Sequence, residues 1–349
     1  MLGKTIIVLW LSAFVAFGCE NMFFENEPAD SQVENFMVLW TTFKDQYGPF
    51  EQRNTDWAQV FETFRPRVND YISNKELYQI FTQMLAKLDD AHVTLTAPRR
   101  ELWNANRIIR LRIGDPFFDL EKITTIYLQN DFVVSGPFTF GVIKGSIEGS
   151  NNLGYLHIEH FETLEPSVLD GILEFMKNFE IIGVIIDLRH NFGGDFRNGL
   201  LFASRFADQR RLAFSSKAKS GPGPNDFAPR VNWYIEPKGN AQYAGPVVVL
   251  TDRYTVSAAE RTVLAFKVLP HVRTMGDTTS GAHGEKIGKE LPNGWFYSLT
   301  PQIVFAADGL SYEGMGIPPD IFVDSSKSER SSDPVLAVAT RSLLADGDR

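Results

Sequence analysis

The sequence predicts an α/β (α+β) protein, an N-terminal helical subdomain followed by a largely parallel sheet with helices on both faces. From Val33 to about Leu95, apolar residues recur at spacings of three and four, the pattern of amphipathic helices. From Asn152 onward, short continuous apolar runs alternate with helical segments, as expected of strands buried on both faces. The length of 349 residues, 44% hydrophobic and 22% charged, suits about two domains and a core that needs no disulfide or metal staple.

Taken in order, Lys4 precedes an uncharged apolar stretch over residues 5–17, too short to span a bilayer comfortably. Residues 1–18 therefore read as a signal peptide. Gly18 stands directly before Cys19, the only cysteine in the chain. This pair resembles a lipoprotein signal, in which Cys19 is lipidated and becomes the mature N-terminus, with residues 19–32 as an acidic tether. The expectation is an exported, membrane-anchored lipoprotein of the bacterial cell envelope, periplasmic or at the outer membrane. A single cysteine excludes intramolecular disulfides, CxxC redox chemistry and cysteine-rich zinc sites. A net charge of -9 without a clustered Lys/Arg run argues against nucleic acid as a partner.

Residues 33–98 form the helical subdomain. Its stripes are Val33, Phe36, Trp40 and Phe43, then Trp57, Val60 and Phe64 ended by Pro66, then a third helix. That helix opens on a capping box, Ser73 to Glu76, and runs into Leu88-Asp89-Asp90-Ala91-His92-Val93-Thr94. Residues 99–151 read as a connecting β segment, with strands over 123–128 and 131–134. Residues 152–349 form the core. Strands are expected over 153–158, 183–188, 246–251, 273–275, 295–300 and 302–305, and helices over 168–179, 198–206, 258–266 and from Pro334 to Leu344. A Ser/Gly/Pro-rich loop is expected over 215–225.

Three segments follow strands, where an α/β fold displays its functional groups. The first carries Asp187-Leu188-Arg189 and the paired glycines Gly193-Gly194, whose backbone N–H groups can turn toward a ligand. In the second, Ser257 stands where a strand–loop passes into a helix, and Ala258 offers a free N–H at the helix start. The same serine fits the commoner role of an N-cap. The third is Tyr312-Glu313-Gly314-Met315-Gly316-Ile317-Pro318-Pro319-Asp320, a compact loop whose carboxylate Glu313 is the candidate.

In this combination and order the segments resemble the S41 family of serine peptidases, which includes carboxy-terminal processing proteases and the tricorn core protease. The resemblance runs from about Gly154 to Val323 and implies a ClpP/crotonase-like core, polypeptide substrates, and no cofactor or metal. It implies Ser257 as nucleophile, with Gly193, Gly194 and Ala258 as oxyanion-hole candidates. Processing proteases take their base from a lysine after a Thr-x-Gly turn. Here Thr279-Ser280-Gly281 is followed by Ala282, and the nearest lysine, Lys286, lies four positions further on. The tricorn-like branch uses a histidine of the helical region, and His92 fits that pattern. Glu313 would be the distant carboxylate, but Ala91 stands where the tricorn site has a serine, so its link to His92 is open. A histidine base with a pKa near 6.5 gives activity that rises through about pH 6–7. His157, His160, His190, His271 and His283 are expected to be structural. Residues 99–151 are too few for the PDZ module of many relatives.

Two readings from other classes compete. A catalytically inactive, peptide-binding lipoprotein of the same fold would cite Ala91 and Ala282. Crotonase-like acyl-thioester chemistry needs no serine at the helix start, so Ser257 weighs against it.

Overall fold

The computed structural model describes residues 30–112, 118–145, 151–327 and 332–347. The expected signal peptide and Cys19 lie outside the described residues. Three helices come first, α1 (Gln32–Gln46), α2 (Trp57–Phe64) and α3 (Asn74–Leu85). Each begins where a side chain accepts from an otherwise unpaired N–H: Ser31, Asp56 and Ser73, the last closing its box with Glu76. Two short strands, β1 (Thr94–Thr96) and β2 (Trp103–Asn104), lead to the short helices α4 (Arg107–Leu111) and α5 (Leu120–Lys122).

The core then alternates as the apolar runs predict. In chain order it comprises β3 (Phe132–Ser135), β4 (Phe138–Ile143), β5 (Leu153–Ile158), α6 (Pro166–Lys177), β6 (Gly183–Asp187), α7 (Phe196–Ala203), β7 (Arg211–Ala218) and β8 (Val231–Ile235). There follow β9 (Val247–Thr251), α8 (Ala258–Lys267), β10 (Val272–Gly276), β11 (Ile287–Glu290), β12 (Phe296–Leu299), β13 (Gln302–Ala306), β14 (Ile321–Phe322) and α9 (Pro334–Gly347).

The main sheet has the order β14-β10-β9-β6-β5-β4-β3. Its five strands from β14 to β5 run parallel, and β4 and β3 close the other edge antiparallel. Successive side chains point to opposite faces, so Val184, Ile186 and Val249 enter one core with α6, α7 and α8, while Ile185, Val248 and Leu250 enter another beneath α9. A second sheet, β11-β12-β1-β2, is covered by the helical region. Phe36, Phe43 and Phe81 are buried there with Tyr297 and Leu299. This packing sets the loop before β1, which carries His92, against the core.

Two readings change, and one strand was not anticipated. Residues 123–128, expected as a strand, form a wide helical turn over Ile123–Tyr127. The hydroxyls of Thr124 and Thr125 donate to the carbonyl of Glu121, giving the backbone a local alternative to a ladder, and Ile123 and Leu128 are buried together. Residues 215–218, expected as loop, extend β7, because Ser215 and Ser216 pair with β13 on one side and β8 on the other. The strand β8 carried no period strong enough to be read. Together β13, β7 and β8 form a third sheet.

Candidate active site

The strand β9 ends at Thr251, and six residues later Ser257 begins α8 with φ +63° and ψ -118°. A non-glycine residue rarely adopts that conformation, and it persists only where its surroundings over-determine it. Here the N–H of Ser257 donates to Glu260 Oε2 at 3.0 Å and to the carbonyl of Ala282 at 3.1 Å. Glu260 is fully buried and also accepts from Thr279 Oγ1 (2.6 Å), Gly281 N (2.7 Å) and Ala282 N (2.9 Å). Burial nonetheless pushes its carboxyl above the ordinary range. One carboxylate thus fastens Ser257 to the 279–282 loop. Its spacing from the serine, S-x-x-E at a helix start, is a capping-box signal that the sequence already carried.

Ser257 opens into a cavity of about 730 Å³ whose wall also contains His92, Gly193, Gly194, Ala258 and Lys286. Gly193 and Gly194 have φ of +94° and +133°. A Cβ on Gly193 would stand 2.7 Å from Ser257 Cβ, and one on Gly194 2.4 Å from the backbone of Phe161 and Glu162, so neither position admits a side chain. The N–H of Gly193 is engaged by Asn191 Oδ1 at 2.9 Å. Among the described residues, the N–H groups of Gly194 and Ala258 have no protein acceptor within hydrogen-bond range.

His92 is 5% exposed and held by its backbone: its N–H donates to Asp90 Oδ1 (2.8 Å), and its carbonyl accepts from Ser298 Oγ (2.6 Å). Its ring Nδ1 is buried without a partner. Burial above all, opposed by Asp90 and aided by Lys286, Arg261 and Arg53, lowers the imidazole pKa to about 4.

Glu313 lies outside the cavity wall. Its Oε1 accepts from the N–H groups of His283 (3.0 Å) and Gly284 (2.7 Å), and its Oε2 is 3.4 Å from Arg53 Nη2. The same guanidinium stands 3.4 Å from Asp90 Oδ1 and donates to the carbonyls of Asp89 and Gly281. Asp90 Oδ2 in turn accepts from Tyr47 Oη at 2.7 Å. Glu313 therefore connects with the His92 loop through Arg53 and Asp90, and it reaches the backbone of that loop rather than the ring. Burial raises the Glu313 carboxyl, while His283 and Arg53 lower it. Arg53 was not legible in the sequence, because its partners lie 36 to 260 residues away.

Ala91 and Ala282, where the resemblance would put a serine and a lysine, meet in one small apolar cluster with Val256, against Ile109. Of the remaining histidines, His160 lines the cavity. His190 Nδ1 lies 2.7 Å from Asp252 Oδ2. His283 is buried with no hydrogen bond to either ring nitrogen, and burial lowers its pKa to about 4.

A largely parallel sheet flanked by helices, with a strained serine at a helix start, sets the class of fold, and comparison with known proteins narrows it. Residues 152–323 match the model of peptidase family S41, and residues 28–86 match that of the tricorn protease C1 domain. The chain belongs to peptidase family S41. A candidate peptidase of Parabacteroides merdae superposes with a TM-score of 0.81 at 29% identity, over 92% of this chain and 99% of that one. The carboxy-terminal processing protease CtpA of Bacillus subtilis is 25% identical over 210 residues, 56% of this chain and 43% of that protein. The tricorn protease shares the fold at a TM-score of 0.54 and 12% identity, over 92% of this chain and 37% of that one. The chain spans under half the length of the curated relatives it matches.

Proposed function

We propose that this chain is a serine-type endopeptidase that hydrolyses peptide bonds in unfolded proteins or peptides at the bacterial cell envelope. Ser257 is the nucleophile and His92 the general base. The observation that carries this reading is one cavity holding Ser257 in its strained conformation, His92, and the unengaged N–H groups of Gly194 and Ala258. Ser257 Oγ attacks the scissile carbonyl while neutral His92 takes its proton, and the imidazolium returns that proton to the leaving amine. The oxyanion is met by Gly194 and Ala258. Gly193 serves differently, since Asn191 engages its N–H, and its lack of a side chain makes room for Ser257. Water admitted after the amine leaves hydrolyses the acyl-enzyme by the same proton transfers in reverse order.

The envelope assignment rests on the N-terminal address read from residues 1–19. Among the described residues, no helix is long and apolar enough to cross a membrane. One alternative has a specific observation behind it: Lys286 lines the same cavity, so a Ser/Lys pair is the second reading. An inactive peptide-binding protein is the third, resting on Ala91 and Ala282.

Labelling with a serine-directed fluorophosphonate separates these readings. Wild type should label and cleave an unfolded polypeptide, and Ser257→Ala should do neither. Equal labelling of Ser257→Ala and wild type would sink the assignment.

A further inference from the structure

Arg261 lies four residues after Ser257 on α8, and its N–H donates to the Ser257 carbonyl at 3.1 Å. Residues four apart share one helix face, and helical side chains lean toward the N-terminus, so Arg261 extends toward the nucleophile. Its side chain is among the largest fully enclosed in the protein, at 2% exposure, yet it lines the same cavity as Ser257 and His92. The guanidinium lies 4.5 Å from the ring of Phe196, itself in the cavity wall, and 5.6 Å from that of Phe214. Its Nε donates to the carbonyl of His283 at 2.6 Å, and its Nη2 to Gln302 Oε1. Nη1 is buried and has no partner.

A buried cation with an unused donor is costly, because neither water nor an acceptor compensates it. Nearby carboxylates do not fill the place. Asp195 is held by Arg197 through two nitrogens, at 2.9 and 2.7 Å. Glu260 and Glu313 are spent on backbone N–H groups. Glu285 acts on Arg261 electrostatically from the exposed rim, without an ion pair within 4 Å among the described residues. The other charges facing the cavity are Lys286, Arg197 and Glu162.

We propose that Arg261 Nη1 receives a carboxylate of the substrate, so that the cavity favours chains with an acidic group beside the bond to be cut. With a buried guanidinium 4.5 Å from the Phe196 ring, a carboxylate forms a charge-assisted hydrogen bond, whereas a neutral isostere forms a weaker one. The carboxylate is either an Asp/Glu side chain or the free C-terminus of the chain. This specificity rests on the peptidase reading above.

The test is fluorescence anisotropy with labelled hexapeptides on Ser257→Ala protein, which binds without turnover. Each peptide carries Glu or Gln at one position, and the set is made both as free acids and as C-terminal amides. At least one position should show about tenfold tighter binding of Glu over Gln, or of acid over amide, and which of the two responds identifies the source. Arg261→Met should bring that ratio to within about twofold, and Glu285→Gln should widen it by removing a competing charge. Equal binding of all peptides overturns the inference, and so does a preference that survives Arg261→Met. Should Arg261→Met fail to fold, an unchanged ratio in Glu285→Gln overturns it instead. Fluorophosphonate labelling of wild type without any acid preference sinks this inference alone. An acid preference in a wild type that neither labels nor cleaves sinks the peptidase reading alone.

Discussion

Replacing Arg53 with methionine keeps the length of an apolar stem and removes the charge that joins Glu313 to the loop bearing His92. The Arg53 side chain is 3% exposed and faces two carboxylates with no exposure at all, each at 3.4 Å. Breaking a buried ion pair by deleting one partner typically costs about 3–5 kcal/mol, because the other charge is left uncompensated. The carbonyls of Asp89 and Gly281 also lose their donor. Proton uptake by Glu313 partly offsets this loss. The Glu313 carboxyl is already raised by burial, and Arg53 is one of the groups holding it down. Its charged form therefore costs stability as pH rises through the folded-state pKa, and without Arg53 that pKa moves higher still. The deficit of Arg53→Met should be greatest near pH 8 and shrink toward pH 5.

Urea unfolding of both proteins at the two pH values measures this directly, with about 3–5 kcal/mol expected at pH 8. In the proposed mechanism kcat should also fall at least about tenfold, since the His92 and Gly281 loops lose their common anchor. A deficit under about 1 kcal/mol at pH 8, or one that does not change with pH, would refute this account of Arg53.

Two further outcomes follow from the site and a third from the N-terminal address. His92→Ala should lower kcat at least about a thousandfold, and Lys286→Ala less than about tenfold; the reverse pattern in steady-state kinetics would make Lys286 the base. The acid limb of the pH–kcat/KM profile should fall near pH 4, where burial places His92, because the base must be neutral to act and is lost as pH drops through that value. A limb at pH 6–7, as an unperturbed histidine would give, would mean that His92 is not the group titrating. Cys19→Ser should abolish labelled-palmitate incorporation and membrane fractionation in a Gram-negative host, while an unlabelled, soluble wild type would make residues 1–18 a plain signal peptide.

The core was legible because buried parallel strands must be apolar on both faces, which leaves runs such as 247–250 unmistakable in sequence. Ser257 and the paired glycines could be singled out because each sits beside a strand or helix whose own pattern marks the place, and His92 because its segment resembles one of the family. The rest was not, and the reasons differ. The strand β8 is exposed along much of its length, so no apolar period marks it. The turn over Ile123–Tyr127 was decided by two threonine hydroxyls bonding back to Glu121. Arg53 and Asp90 owe their place to contacts between segments far apart in the chain, and residue type alone could not have paired them.

The carboxylates around the site share one habit. Glu260 accepts from the N–H groups of Ser257, Gly281 and Ala282, Glu313 from those of His283 and Gly284, and Asp90 from that of His92. None of these bonds reaches a histidine ring nitrogen, although Glu260 Oε1 lies 3.4 Å from His283 Nε2, and Nδ1 of His92 is left without a partner. Acidic groups here set where loops stand, and burial sets the protonation of the base. The two alanines fit that division. Ala91 and Ala282 present methyl groups to one apolar cluster with Val256, and of the two Ala91 lines the cavity. A base kept neutral by desolvation needs no partner to stay ready at pH 7, but its imidazolium gains only the through-space attraction of Asp90 and no carboxylate hydrogen bond when the proton arrives. In the proposed mechanism the stabilisation missing at His92 must then come from the oxyanion side. That is where the strained Ser257 and the two unengaged N–H groups of Gly194 and Ala258 are held most firmly, by a glycine pair that admits no side chain and by a buried carboxylate with four hydrogen bonds.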